Sequence, residues 1–209
     1  MSFSTLDYWP AAKPHTEACT DGWLVNGWFQ PENKARLLEL LAEAAPRYAV
    51  ELGAWYGASA RFLLEHSDLT LFSVDIWDKE LIAHEWSVQC PEFDMHPEVA
   101  ALLEKHPIGE TFMVNLWEFK ERLVPLKMRS VDGLRHVSRL GVVADLIYVD
   151  ANHEYASVVE DINTALALFP RAKVCGDDYS WFDVKRAVQE SARTHDRELR
   201  TRGEFWEFV

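Results

Sequence analysis

Ala49-Val-Glu-Leu-Gly-Ala-Trp-Tyr-Gly-Ala-Ser59 is the stretch on which the reading of this chain turns. The run from Tyr48 to Leu52 is apolar and β-leaning, carries one acid, Glu51, and breaks at Gly53. Gly57 follows four residues later, and Ala58 to Glu65 then reads as helix. Strand, glycine turn and helix N-terminus form a unit suited to a polar or anionic cofactor. Glycines let the backbone approach closely, and the first helical N–H groups point at the ligand. The spacing is G-x-x-x-G, not the G-x-G-x-x-G of a dinucleotide fingerprint, so a pyrophosphate is not the expected guest.

Outward from this turn, strands and helices alternate. Pro31 opens a helix running to Ala45, with Leu37, Leu38, Leu41 and Ala45 as its apolar stripe and Pro46 as its stop. Residues 47–53 form strand one, 57–66 a helix and 69–75 strand two, which ends in Asp75. A long segment, 76–121, has helix-like parts. Strand three is Leu123 to Met128, strand four Ala144 to Asp150, and strand five Ala172 to Gly176. After strand four, Tyr155, Val158, Val159, Ile162, Ala165, Leu166 and Phe169 follow helical periodicity, with Asp161 and Arg186 expected on solvated helix faces. The tail, Glu198 to Val209, reads as two short strands about the Arg202-Gly203 turn. The expected fold is α/β: one doubly wound domain, 1–209, with a mostly parallel sheet and an antiparallel C-terminal edge strand.

Composition narrows the function. With 21 basic against 34 acidic residues the formal charge is −13, and no basic stripe is visible, which argues against nucleic acid as partner. No apolar run reaches membrane-spanning length, and Met1 to Pro10 lacks the features of a signal peptide. Cys19, Cys90 and Cys175 have neither metal-type nor disulfide-framework spacing; they read as free thiols and point to the cytoplasm.

The acids gather at strand ends, where ligands of open α/β sheets bind. Strand four ends in Val149-Asp-Ala-Asn-His-Glu-Tyr155 and strand five in Gly176-Asp-Asp-Tyr179. Asp150, Asp177 and Asp178 are therefore expected to converge, and three crowded carboxylates repel unless protons or a cation neutralise them. An oxygen-only set suits Mg²⁺ or another divalent cation.

E-L-G-x-x-x-G-x-S followed by V-D-x-W resembles the cofactor half of class I S-adenosylmethionine-dependent methyltransferases. V-D-x-x-H-x-Y followed by G-D-D-Y resembles the metal-dependent O-methyltransferases of the macrocin and catechol types, in the methyltransferase domain 24 group. The resemblance runs from residue 32 to 209 and implies a Rossmann-like, seven-stranded sheet. It implies S-adenosylmethionine held by Glu51, Gly53, Tyr56, Gly57, Ser59, Asp75, Ile76, Trp77, Ser130 and Asp150, with Asp75 on the ribose hydroxyls. It implies Mg²⁺ on Asp150, Asp177 and Asp178, and a small-molecule hydroxyl acceptor. Some relatives place a general base two residues after the strand-four acid; this chain has Asn152 there, so His153 takes the proton or the metal acidifies the acceptor alone. The rival readings are a cofactor-binding protein without turnover and a metal-dependent hydrolase on the same acids.

Two segments carry specificity without a readable code. Residues 1–30, with Tyr8, Trp9, Trp23, Trp28 and Phe29, form an arm that covers apolar surface, closes over substrate or makes a homodimer contact. Residues 76–110, with Trp77, Trp86 and Phe93, are expected to form a lid. A zinc site from His84, Cys90, Asp94 and His96 is disfavoured by their loose spacing.

Overall fold

A computed structural model describes residues 3–16, 29–89, 101 and 103–209. Helix α1, Pro31–Ala44, starts on a proline whose missing N–H is no loss in the first turn, and ends at Ala45 in the left-handed region (φ 41°). It leads into β1, Tyr48–Leu52, and through the glycine turn to α2, Ala58–Glu65. Strand β2, Thr70–Asp75, is followed by α3, Lys79–Gln89, and α4, Ile108–Asn115. Strand β3, Leu123–Lys127, precedes α5, Ser130–Arg139; β4, Leu146–Val149, precedes α6, Tyr155–Leu168; β5, Lys173–Gly176, precedes α7, Phe182–Thr194. A hairpin of β6, Leu199–Arg202, and β7, Phe205–Phe208, ends the chain.

The sheet has seven strands in the order β3-β2-β1-β4-β5-β7-β6. Strands β1 to β5 are parallel, and β7 and β6 are antiparallel. Connections run one way from β1 to β3 and the other way from β4 to β5, so the switch point lies between β1 and β4. A crevice opens beyond the strand ends at such a point. The register Leu52↔Val149 sets Gly53 beside Asp150 there.

Alternation along the strands divides the core into two layers. Ala49, Leu71, Leu123, Tyr148 and Cys175 face one way and pack with residues of α1, α2 and α4. Val50, Leu52, Phe72, Val74, Ile147 and Val174 face the other and pack with α5, α6 and α7. Two details depart from the sequence reading. On α1 the buried apolar positions are Leu37, Leu40 and Leu41, while Leu38 and the capping Ala45 are exposed, because a stripe at i, i+3, i+4 excludes i+1 and the helix stops at Ala44. Asp161 is 4% exposed and not solvated, because α6 is packed by α5 on one side and α7 on the other.

The arm is cover where it is described. The 3₁₀ turn Thr5–Tyr8 lies on the edge strand β3, Thr5 Oγ1 donates to the Glu121 carbonyl (3.1 Å), and Trp9 Nε1 donates to the Leu123 carbonyl (2.7 Å). Trp9 and Phe29 belong to the core. Trp23, Trp28, Phe93, Cys19, Cys90, Asp94, His96 and the Trp86 side chain lie outside the described residues, as does the middle of the expected lid.

Candidate functional site

The glycine turn is built by close approach. Gly53 has φ 88°, and a Cβ there would fall 1.8 Å from the Asp150 carbonyl oxygen, so only glycine lets the ends of β1 and β4 meet. Gly57, at φ 94°, caps α2, and a Cβ on it would fall 2.6 Å from Leu116 Cδ1. Between them Trp55 is left-handed (φ 46°), and Trp77, just past β2, is left-handed too (φ 37°). Such conformations persist only where neighbours over-determine them.

Here the neighbour is Asp75. Its Oδ2 accepts from the N–H groups of Ala54 and Trp55 (both 2.9 Å), and its Oδ1 accepts from the Trp77 N–H (2.7 Å). Trp77 Nε1 adds a bond to the Trp55 carbonyl (3.0 Å), and the Trp77 ring packs on Phe112 at 4.7 Å between centroids. The acid expected to face a ribose is therefore also the clamp of the glycine turn.

The other cofactor candidates divide. Glu51 is wholly buried and accepts from Ser59 Oγ (2.5 Å) and Ser73 Oγ (2.7 Å); burial pushes its carboxyl up to about 7, against the pull of the two hydroxyls. Glu51 and Ser59 thus satisfy each other. Tyr56 is buried, with its hydroxyl donating to the His106 carbonyl (2.7 Å), which ties the turn to the segment before α4. Ile76 is half-buried against the core around α4. Ser130 opens α5 and faces the buried carboxyl of Asp161, which burial raises to about 7 despite that hydroxyl.

At the ends of β4 and β5, ligand-capable atoms of Asp150, His153 and Asp178 lie within 4.8 Å of one another. His153 Nε2 donates to Asp178 Oδ2 at 2.7 Å, and the imidazole stacks on Trp181 (4.7 Å between centroids, 20° between planes). The Asp150 carboxyl is held well above its ordinary range, first by burial and then by the charges of Asp177, Asp178 and Glu51. Asp177 is raised to about 6 by burial and by Asp178, with Asn33 and the Asp178 N–H pulling the other way.

Asp177 itself does not join the close group. Side chains alternate along an extended strand, so Asp177 continues the Cys175 side of β5. There it is 6% exposed, with Oδ1 accepting from the Asp178 N–H (2.7 Å) and Tyr148 Oη 3.4 Å from Oδ2. Asp178, left-handed at φ 61°, turns the chain and carries its carboxylate to His153. Asn152 is engaged as well: its Oδ1 accepts from the Glu154 N–H (2.7 Å) in the turn that leads into α6. A cleft lined by Asp150, Asn152, His153, Asp177, Asp178 and Trp206, among others, opens on this cluster. Trp181, Tyr148 and the buried Asn33 escaped the sequence reading, although Trp181 stands only three residues beyond the G-D-D motif.

A family model described as "Methyltransferase domain" matches residues 50–179, from β1 to the loop after β5. The chain belongs to this methyltransferase family. The match spans both the glycine turn and the acid cluster. Solved structures similar to the methyltransferase include the O-methyltransferase TomG from Streptomyces achromogenes, involved in tomaymycin synthesis and in complex with SAM. It is 17% identical, covers 84% of this chain and 77% of its own, and has a TM-score of 0.58. An O-methyltransferase from Bacillus cereus in complex with SAH is 15% identical over 86% of this chain and 81% of its own (TM-score 0.56). The SAH-bound methyltransferase PaMTH1 of Podospora anserina is 11% identical over 84% and 76% (TM-score 0.54). At these identities the likeness establishes a shared fold. No curated protein matches the chain. Among the described residues no helix is long and apolar enough to cross a membrane.

Proposed function

We propose that this methyltransferase moves the methyl group of S-adenosylmethionine to the hydroxyl of a small molecule, with a divalent cation at the acid cluster. The observation that carries the reading is the convergence of Asp150, His153 and Asp178 within 4.8 Å, beside the Gly53 turn at the switch point. Two carboxylates and an imidazole form a donor set for a divalent cation. Burial and then the neighbouring carboxylates hold the Asp150 carboxyl well above its ordinary range, and a cation's charge would offset both. With His153 in the close group and Asp177 behind it, the set is no longer all oxygen, which supports Mn²⁺ beside the Mg²⁺ suggested by the sequence. When bound, the ion would supply Lewis acidity that lowers the pKa of the acceptor hydroxyl.

The chain's own residues do the positioning. Asp177 fixes the Asp178 backbone through its 2.7 Å bond, and Asn152 fixes the loop that carries His153. A cation bound there would take the place of the His153 Nε2–Asp178 Oδ2 hydrogen bond. On the cofactor side, the Asp75 carboxylate clamps the glycine turn through the N–H groups of Ala54, Trp55 and Trp77, and it is the acid proposed to take the ribose hydroxyls. The similar structures that hold SAM or SAH support the choice of cofactor. Because a sulfonium carries its own leaving group, alignment dominates the catalytic task.

The test pairs calorimetry with turnover. The chelator-treated chain is titrated with adenosylmethionine, MgCl₂ and MnCl₂. It is then assayed for methyl transfer to a panel of ortho-diphenols, sugars and hydroxylated polyketides. Asp178→Asn is expected to lose ion binding and turnover while keeping adenosylmethionine affinity within about twofold. Full turnover after chelation, with no divalent ion raising Tm, would refute the cation. No binding of adenosylmethionine would refute the reading altogether.

A further inference from the structure

The imidazole of His153 is held from two directions. In its plane, Nε2 meets Asp178 Oδ2 at 2.7 Å; across its face lies the Trp181 indole, 4.7 Å away and only 20° from parallel. Both partners come from the loop after β5, whereas His153 comes from the loop after β4. Trp181 is fixed in turn: its N–H donates to the Asp178 carbonyl (3.0 Å), closing the turn that the left-handed Asp178 begins, and it caps α7. One short turn therefore presents a carboxylate to the edge of the ring and an indole to its face.

The two restraints differ in what disturbs them. The hydrogen bond ends on a carboxylate oxygen that must also serve whatever else Asp178 binds. The stack uses only the ring face and survives a change of partner at Nε2. Trp181 is nevertheless 36% exposed and the next residue, Phe182, is 79% exposed. The inner face of Trp181 is spent on a half-exposed histidine and not on the core.

We propose that Trp181 is a positioning residue of the acid cluster: its indole holds the His153 imidazole as a nitrogen donor beside Asp150 and Asp178. This rests on the reading of the cluster as a divalent-cation site. A flexible ring would have to be immobilised when the ion arrives, and that ordering would weaken binding; a stacked ring is ordered beforehand. The demand is for an aromatic plane and not for an indole as such.

MnCl₂ titrated calorimetrically into the chelator-treated chain tests the proposal without any acceptor. Trp181→Leu is expected to weaken Mn²⁺ binding about five- to tenfold, and Trp181→Phe to restore it to within about twofold of wild type. Adenosylmethionine affinity should be unchanged in both. Affinity unchanged in Trp181→Leu, or equally weak in Phe and Leu variants, overturns the stacking role while leaving the cation reading intact. Wild type that binds no Mn²⁺, or Asp178→Asn that binds it fully, overturns both. Should the leucine variant fail to fold, the His153 ring protons of wild type decide by NMR. An upfield ring-current shift that disappears in Trp181→Gln supports the stack; random-coil shifts in wild type overturn it.

Discussion

Replacing Asp75 by alanine separates a clamp from a ligand contact. Three backbone N–H groups, those of Ala54, Trp55 and Trp77, end on this carboxylate at 2.7–2.9 Å. A hydrogen bond to a charged group contributes about 1.5–3 kcal/mol, and less where water can replace the acceptor. The site is half-buried, so about 1 kcal/mol for each of three bonds is the working figure. Trp55 and Trp77 also lose what holds them left-handed, a conformation that costs about 1–2 kcal/mol per residue; the loop relaxes and recovers part of this. The net loss is then about 3 kcal/mol in the ligand-free protein. For a chain of this size that lowers Tm by roughly 6–12 °C, at about 2–4 °C per kcal/mol. Differential scanning calorimetry without cofactor reads it directly. If Asp75 served only a ribose, the ligand-free Tm would stay put and adenosylmethionine affinity alone would fall. A ligand-free Tm within 2 °C of wild type refutes the clamp.

Two further outcomes follow from the same packing. Gly53→Ala places a Cβ 1.8 Å from the Asp150 carbonyl oxygen at φ 88°, so β1 and β4 must part; a loss of about 3–5 kcal/mol is expected, read by urea denaturation, and near-wild-type stability would contradict the close approach. Asp161, with a folded pKa of about 7 against an ordinary 3.8, keeps its proton in the folded chain after the unfolded chain has released it. Between those values the folded state binds more protons, so stability falls as pH rises from about 4 to about 7 and levels off above. Asp161→Asn should therefore gain on wild type by a few kcal/mol from pH 5 to pH 8, at about 1.4 kcal/mol per pKa unit; parallel Tm profiles across that range would refute it.

Much of the fold was legible because it is written in periodicity. Each strand of the sheet begins and ends within a few residues of its apolar run, and the parallel sheet with helices on both faces followed from the alternation of strand and helix. The antiparallel tail was legible for the same reason, with Gly203 at its turn. What periodicity cannot convey is which neighbour an element meets. Asp161 reads as a polar residue on a helix, yet the helix is covered on both sides, and its carboxyl ends against Ser130. Asp75 reads as an acid at a strand end, and nothing in its spacing says that its nearest donors are the main chain of the turn it was expected to accompany.

The paired acids after β5 show where the limit lies. Two adjacent carboxylates in one motif suggest two ligands for one ion. Adjacent side chains on an extended chain point to opposite faces, however, so both can reach one point only if the backbone bends between them. The chain does bend, through the left-handed Asp178, but the bend turns Asp178 toward His153 and leaves Asp177 against Tyr148, 6% exposed. The buried acid then accepts from the N–H of its half-buried neighbour, so the pair acts in series: one carboxylate shapes the backbone and the other reaches His153, both lining the cleft. A motif counts acids, whereas a single φ angle assigns their tasks. By that logic the residues that complete the cluster come from outside the motif, His153 from the neighbouring loop and Trp181 from the end of the same turn.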